Sequence, residues 1–314
     1  MRLASSFALS FLIILAACGG SDPEPAAPAI EETPERLLVY TVNYPLAYFA
    51  ERLGGDAVEV VFPAPADEDP VFWSPDAEDI AAYQQADLVL LNGAGYAKWV
   101  ERATLPSSKV VDTTARATDS LLELTGTVSH SHGPEGEHEH HGWAFTTWLD
   151  PTLALEQARA VADALEQQRP QAVAAIQANL TALGADLSAL DARLAAAADA
   201  IGDEPLLFSH PVYQYFINRY SLNGHQVHWE PDVEPDGKMW SELEHIVHHD
   251  GAEWMLWEGE PLAATVAGLD DRRISSVVYS PSANVPTEGD WLTVMEANAV
   301  AFESIAGLPA DHAD

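Results

Sequence analysis

The chain of 314 residues has a single cysteine, only three lysines, and no uninterrupted apolar run long enough to cross a bilayer as a helix. Each shortage excludes something. One cysteine, Cys18, leaves neither a disulfide framework nor a thiolate metal site. Lys98, Lys109 and Lys238 stand against a formal charge of -35, a field that repels nucleic acid and attracts cations. Most of that acidity reads as a solvated surface, so charge alone does not make a cation binder. A spanning helix needs about 20 apolar residues, and no such run occurs. No H-E-x-x-H segment occurs either, and GHQVHWE sets its histidines three positions apart, on opposite faces of a strand, so no zinc hydrolase site is supplied. The chain reads as a protein that is not an enzyme.

What is present begins with an export signal. Arg2, an apolar run from Phe7 to Leu15, and Leu15-Ala16-Ala17-Cys18 resemble a bacterial lipobox, in which cleavage leaves Cys18 to be acylated. The expectation is a protein held by Cys18 in the lipid bilayer, on the periplasmic side of a bacterial membrane. Residues 19–36, rich in Pro, Ala, Gly and acids, cannot bury enough apolar surface to order themselves and read as a tether.

The remainder alternates short β-branched runs with amphipathic ones, which argues α/β architecture with parallel sheets. Residues 37–150 form one βα lobe, with strands expected at Leu37–Val42, Val58–Phe62, Leu88–Leu91 and Val110–Val111, and helices at Leu46–Leu53, Asp76–Gln85 and Tyr96–Arg102. Residues 204–314 form a second, with strands at Leu206–Phe208, Gln226–Trp229, Trp254–Trp257 and Ile274–Tyr279. Helices follow there at Val212–Tyr220, Met239–His249, Leu262–Leu269 and Trp291–Ile305. The helical segment 151–203 lies between the lobes. Its apolar stripe Val173, Ile176, Leu180, Leu183, Leu187, Leu190 and Leu194 suits one long helix, either a coiled-coil seam or a bridge across both lobes. The position between two βα units favours the bridge.

Open parallel sheets bind ligands beyond the carboxyl ends of their strands. Those ends carry Asn43-Tyr44, Pro63 to Trp73, Asn92-Gly93, Ser209-His210, Glu230, Glu258 and Ser280. The candidate cation ligands there are His210, Glu68, Asp69, Glu230 and Glu258. Such an oxygen-rich set suits zinc, manganese or ferrous iron. His245, His248 and His249 share a helix whose apolar face belongs to Leu243, Ile246 and Val247, so they read as solvated, and His225 and His228 show no partners. The loop 130–141 holds His130, His132, His138, His140 and His141 among Gly, Pro, Ser and Glu. Imidazole-rich tracts bind zinc, but this one lacks a scaffold and reads as a collecting loop.

These features together resemble the zinc/manganese solute-binding lipoproteins of bacterial ABC importers, the ZnuA/TroA-like group (cluster A-I), from about Leu37 to Ile305. AEDIAAYQQADLVLLNGAGYAKWVE (77–101), the His-rich loop before WLDP, FSHPVYQYFINRYSL (208–222) and PTEGDWLTVMEANAVAF (286–302) carry the resemblance. It implies a metal held between two lobes and delivered to a membrane permease, with the binding protein a monomer. Departures are specific. Where the group places ligands, this chain has Val71, Thr146 and Ser280, and only His210 matches. A cleft altered to take another solute, a metal chelate or a small organic cation stacked on Trp73, Trp229 and Trp257, is the other reading.

Overall fold

The computed structural model describes residues 36–124, 128–131, 137–140 and 142–308. The signal segment, Cys18, nearly all of the tether, His132 and His141 lie outside the described residues.

Hydrophobic strands pair in two parallel four-stranded sheets. The first comprises β1 (Leu37–Thr41), β2 (Val58–Val61), β3 (Leu88–Leu91) and β4 (Val110–Asp112) in the order β2-β1-β3-β4. Its register sets Val39 beside Val60 on one side and Leu88 on the other. Helices α1 (Tyr44–Gly54) and α2 (Ala77–Gln85) are built by local sequence. Asn43 caps α1 through Leu46 N, and Asp76 with Asp79 forms a capping box on α2. Tyr96–Arg102 is not the expected helix: only a single 3-10 turn forms at Lys98–Glu101, after a run of left-handed backbone at Gly93, Ala94 and Gly95. Gly93 is required there, since its φ is +79° and a Cβ would stand 1.9 Å from Thr114 Oγ1.

Between the two sheets in chain order, β5 (Val128–Ser131) and β6 (Glu137–His140) form an antiparallel ladder that pairs His130 with His138 and Val128 with His140. The His-rich segment is therefore a hairpin in part, a correction to the scaffold-free loop expected from its composition. Composition reports the lack of a core; it does not register cross-strand pairing. Helix α3 (Pro151–Gln168) starts with Asp150 capping Thr152 N and Pro151 in the first turn. After a turn at Pro170–Ala172, α4 runs from Val173 to Ile201.

The second sheet comprises β7 (Leu206–Phe208), β8 (Gly224–Gln226), β9 (Trp254–Trp257) and β10 (Ser275–Val278) in the order β10-β9-β7-β8, all parallel. Strand β8 sits two to three residues before the expected Gln226–Trp229, because Gly224 alone lets Phe208 and Ile217 close over it. Around the sheet lie α5 (Gln214–Tyr220), α6 (Gly237–Asp250), α7 (Ala263–Asp270) and α8 (Trp291–Ile305).

Helix α4 is long and apolar enough to cross a membrane by length and composition, a property the sequence reading denied to every segment after the signal. Its apolar stripe is otherwise engaged. Ile176, Leu183, Leu187, Leu190 and Leu194 are buried, and the core they join contains residues of both sheets. Near its start Asn179 donates to Leu53 O and Asp186 pairs with Arg52, both on α1. Towards its end Asp191 holds Arg219 and Tyr220 of α5, and Arg193 forms a two-pronged pair with Glu303 of α8. One helix thus ties the first sheet's flank to the second's.

Candidate functional site

The strand order decides which side chains meet. β7 lies between β8 and β9, so the residue beyond its carboxyl end has neighbours from both. His210, following Phe208 and Ser209, faces Glu258 beyond β9 at 2.9 Å (Nδ1 to Oε1) and Glu230 downstream of β8 at 4.0 Å. Ligand atoms of the three lie within 4.8 Å of one another, and no other His/Cys/Asp/Glu group of three among the described residues does so. Glu258 N–H in turn donates to Ser209 Oγ. His210 is 8% exposed. Burial opposes its charged form, but the hydrogen bond and charge of Glu258, then Glu230 and Asp69, outweigh it and hold its pKa above the usual 6.5.

This cluster forms one wall of a cleft of about 640 Å³. Glu68 and Asp69, exposed on the segment after β2, line the same cleft from the first lobe but are not in the three-residue group. Asp69 Oδ1 accepts from Val71 N, and Glu68 O accepts from Asn284 Nδ2. Among the described residues, five carboxylates and no lysine or arginine line the cleft. The first lobe's other contributions include Asp67, Val71, Phe72, Tyr96, Phe145 and Thr146. The Thr146 hydroxyl donates to Val212 O, and Ser280 Oγ accepts from Ser282 N. Tyr96, 1% exposed, has a hydroxyl with no hydrogen-bond partner, as has Ser282.

Other expected strand-end groups are structural. Asn92 Oδ1 accepts from Asn43 and Gln157, and Asn92 Nδ2 donates to Phe145 O, so both asparagines stand in a satisfied buried network behind the cleft. Trp73, Trp229 and Trp257 are not cleft residues. All three are buried in cores, Trp229 packing edge-on against Trp240. Successive strand residues point to opposite faces; where Glu258 faces the cleft, Trp257 cannot. The cleft's tryptophan is Trp148, whose indole N–H donates to Pro281 O. His245, His248 and His249 are exposed on α6. Two histidines without an evident partner have neighbours: His225 lies 3.6 Å from Asp250, and the His228 ring is 6.1 Å from that of His210. For His228, desolvation and then His210 lower the pKa, against Glu242. Tyr96, Phe145 and the segment 282–286 were missed; the glycines at 93 and 95 were the available signal for Tyr96.

Comparison with known proteins agrees with this architecture. Over 281 residues the chain is 25% identical to the zinc-binding lipoprotein AdcA of Streptococcus pneumoniae serotype 4, covering 85% of this chain and 55% of that one. It therefore spans about half the length of that curated relative. It is 26% identical over 243 residues to the high-affinity zinc uptake system protein ZnuA of Bacillus subtilis, covering 74% and 72% of the two chains. To the manganese-binding lipoprotein MntA of Halalkalibacterium halodurans it is 24% identical over 239 residues, covering 75% and 73%. The crystal structure of Zn(II)-bound AdcA from S. pneumoniae shares the fold, with a TM-score of 0.73 at 21% identity over 87% of this chain and 58% of that one. The family profile described as "Zinc-uptake complex component A periplasmic" matches residues 39–305, and the chain belongs to that ZnuA family.

Proposed function

We propose that this protein is a solute-binding lipoprotein of a metal ABC importer, anchored through Cys18, that captures a divalent cation in its cleft and delivers it to a membrane permease. The observation that supports this most is the convergence of His210, Glu230 and Glu258 within 4.8 Å. Two carboxylates crowded beside one imidazole repel each other, and a cation between them relieves that repulsion. In the metal-free protein the Nδ1 proton answers Glu258; a cation takes the proton's place, and the three donors then supply nitrogen and two oxygens. Glu68 and Asp69 enrich cations at the cleft entrance, on the path to that set. Zinc is the favoured cargo, from the names of AdcA and ZnuA among the relatives and the imidazole donor. Manganese, which MntA is named for, and ferrous iron suit the oxygen-rich remainder.

The reading is tested by calorimetric titration of chelator-stripped protein with zinc, manganese and iron, beside His210→Ala. Wild type is expected to bind one ion tightly and the variant to lose that step. Equal affinity in both proteins for all three metals would remove the cleft from the mechanism.

A further inference from the structure

The histidines of α6 take no part in the cleft, and the topology places them far from it. Helix α6 starts beyond the carboxyl end of β8 and returns the chain to the amino end of β9, and both strands run parallel to β7. The cleft lies beyond the carboxyl ends of these strands, so the last turn of α6 stands at the opposite pole of the second lobe. That turn reads HIVHHD, residues 245–250. Leu243 is buried, and Ile246 and Val247 pack against the same core, which commits one face of the helix. His245, His248, His249 and Asp250 are left exposed.

Residues four apart on a helix stand one above the other, and the rings of His245 and His249 have their centres 6.3 Å apart. Two imidazoles whose nitrogens lie about 2.0–2.1 Å from one zinc ion have ring centres roughly 5–6 Å apart. The His249 side chain is 77% exposed, and rotation of such a side chain is a picosecond-to-nanosecond motion that closes the difference. A second observation supplies a third donor. Asp250 Oδ1 stands 3.5 Å from His249 Nδ1, and Oδ2 stands 3.6 Å from His225 Nε2 on β8. Neither separation is that of a normal hydrogen bond, so the carboxylate stands beside two imidazoles without being spent on either. His225 Nε2 is enclosed, so His225 backs the carboxylate and is not itself a donor. The carboxyl end of the helix adds a field that favours a cation. We infer that His245, His249 and Asp250 form a second metal site of this protein, for a divalent transition ion such as zinc. A pair of imidazoles suits zinc, copper(II) or nickel better than manganese, calcium or magnesium. These donors stand further apart than those of the cleft, and each gives up rotamer freedom on binding, so the ion is held more loosely here. The site stands whether or not the cleft holds a cation.

Hydrogen-exchange mass spectrometry of the chelator-stripped full chain, titrated with zinc, reads this turn separately from the cleft and the hairpin. Zinc should slow exchange in the peptide covering 243–252 by about threefold or more, because an ion that bridges two turns must leave before they open. The same slowing is expected in His210→Ala and in His248→Gln, and none in the double variant His245→Gln/His249→Gln. Asp250→Asn should raise the zinc concentration needed for half the effect by about threefold or more. Manganese at the same concentrations should leave the peptide unchanged. No slowing in the wild type, or equal slowing in the double variant, would overturn the site. Loss of the effect in His210→Ala would overturn it too, by making it a consequence of cleft binding. An unchanged midpoint in Asp250→Asn would remove the three-donor arrangement, and equal slowing by manganese would remove imidazole coordination.

Discussion

At His210 a buried imidazole faces two carboxylates, and its protonation sets the terms for any cation. In the metal-free protein its pKa is raised above the unfolded value of 6.5. Its contribution to stability is therefore fully present below 6.5 and is lost as pH rises through the folded value. Metal binding has the opposite dependence, because imidazolium cannot ligate. The rise in melting temperature produced by saturating zinc should be larger at pH 8 than at pH 6, measured by differential scanning calorimetry. A zinc-induced rise that is the same at both pH values would show that the ion does not displace the His210 proton.

At the scale of elements, α4 and the β5–β6 hairpin separate packing from metal chemistry. Leu187 is 1% exposed on α4, within the core that spans both sheets, whereas Val173 on the same stripe is 36% exposed. Leu187→Ala should cost about 2–5 kcal/mol in chemical denaturation, from lost burial and the cavity left behind. Val173→Ala should cost within about 0.5 kcal/mol, as surface changes do. Equal costs would mean that the stripe does not divide as the burial indicates. The hairpin pairs His130 with His138 in its backbone ladder. Deleting residues 130–141 is expected to lower the number of zinc ions bound, counted by elemental analysis, while the tightest remains. Loss of that tightest ion would move the principal site to the hairpin.

For the two lobes as a whole, the connections restrict hinge motion. Besides α4, Tyr44 N donates to Ala283 O, Trp148 to Pro281 O, and Asn284 to Pro65 O and Glu68 O, so the segment 281–284 is fastened to the first lobe beside the cleft. A stiff helix absorbs little of the dihedral change that hinge residues supply in domain closure. Spin labels at the exposed positions 85 and 248, in a Cys18→Ser background, should therefore give interlobe distance distributions that overlap with and without zinc. A shift larger than the distribution width would show a hinged closure instead.

Much of this protein is settled by its sequence alone. Short apolar, β-branched runs and amphipathic stripes place the strands and the long helix, because each must bury its apolar surface. Asp76, Asp150 and Pro151 mark helix starts through capping chemistry that acts within four residues. His210 and the carboxylates could be nominated as strand-end residues for the same local reason. Local rules also offered a correction that went unused: adjacent strand residues face opposite ways, which separates Trp257 from Glu258. The rest was not local. Which candidates share a site depends on β7 lying between β8 and β9, and strand order is set by how helices pack across whole sheets. That order brings His210, Glu230 and Glu258 together from positions 20 and 28 residues apart along the chain. It leaves Glu68 and Asp69 lining the first lobe's side of the cleft and outside that group, a distinction only the tertiary structure could make.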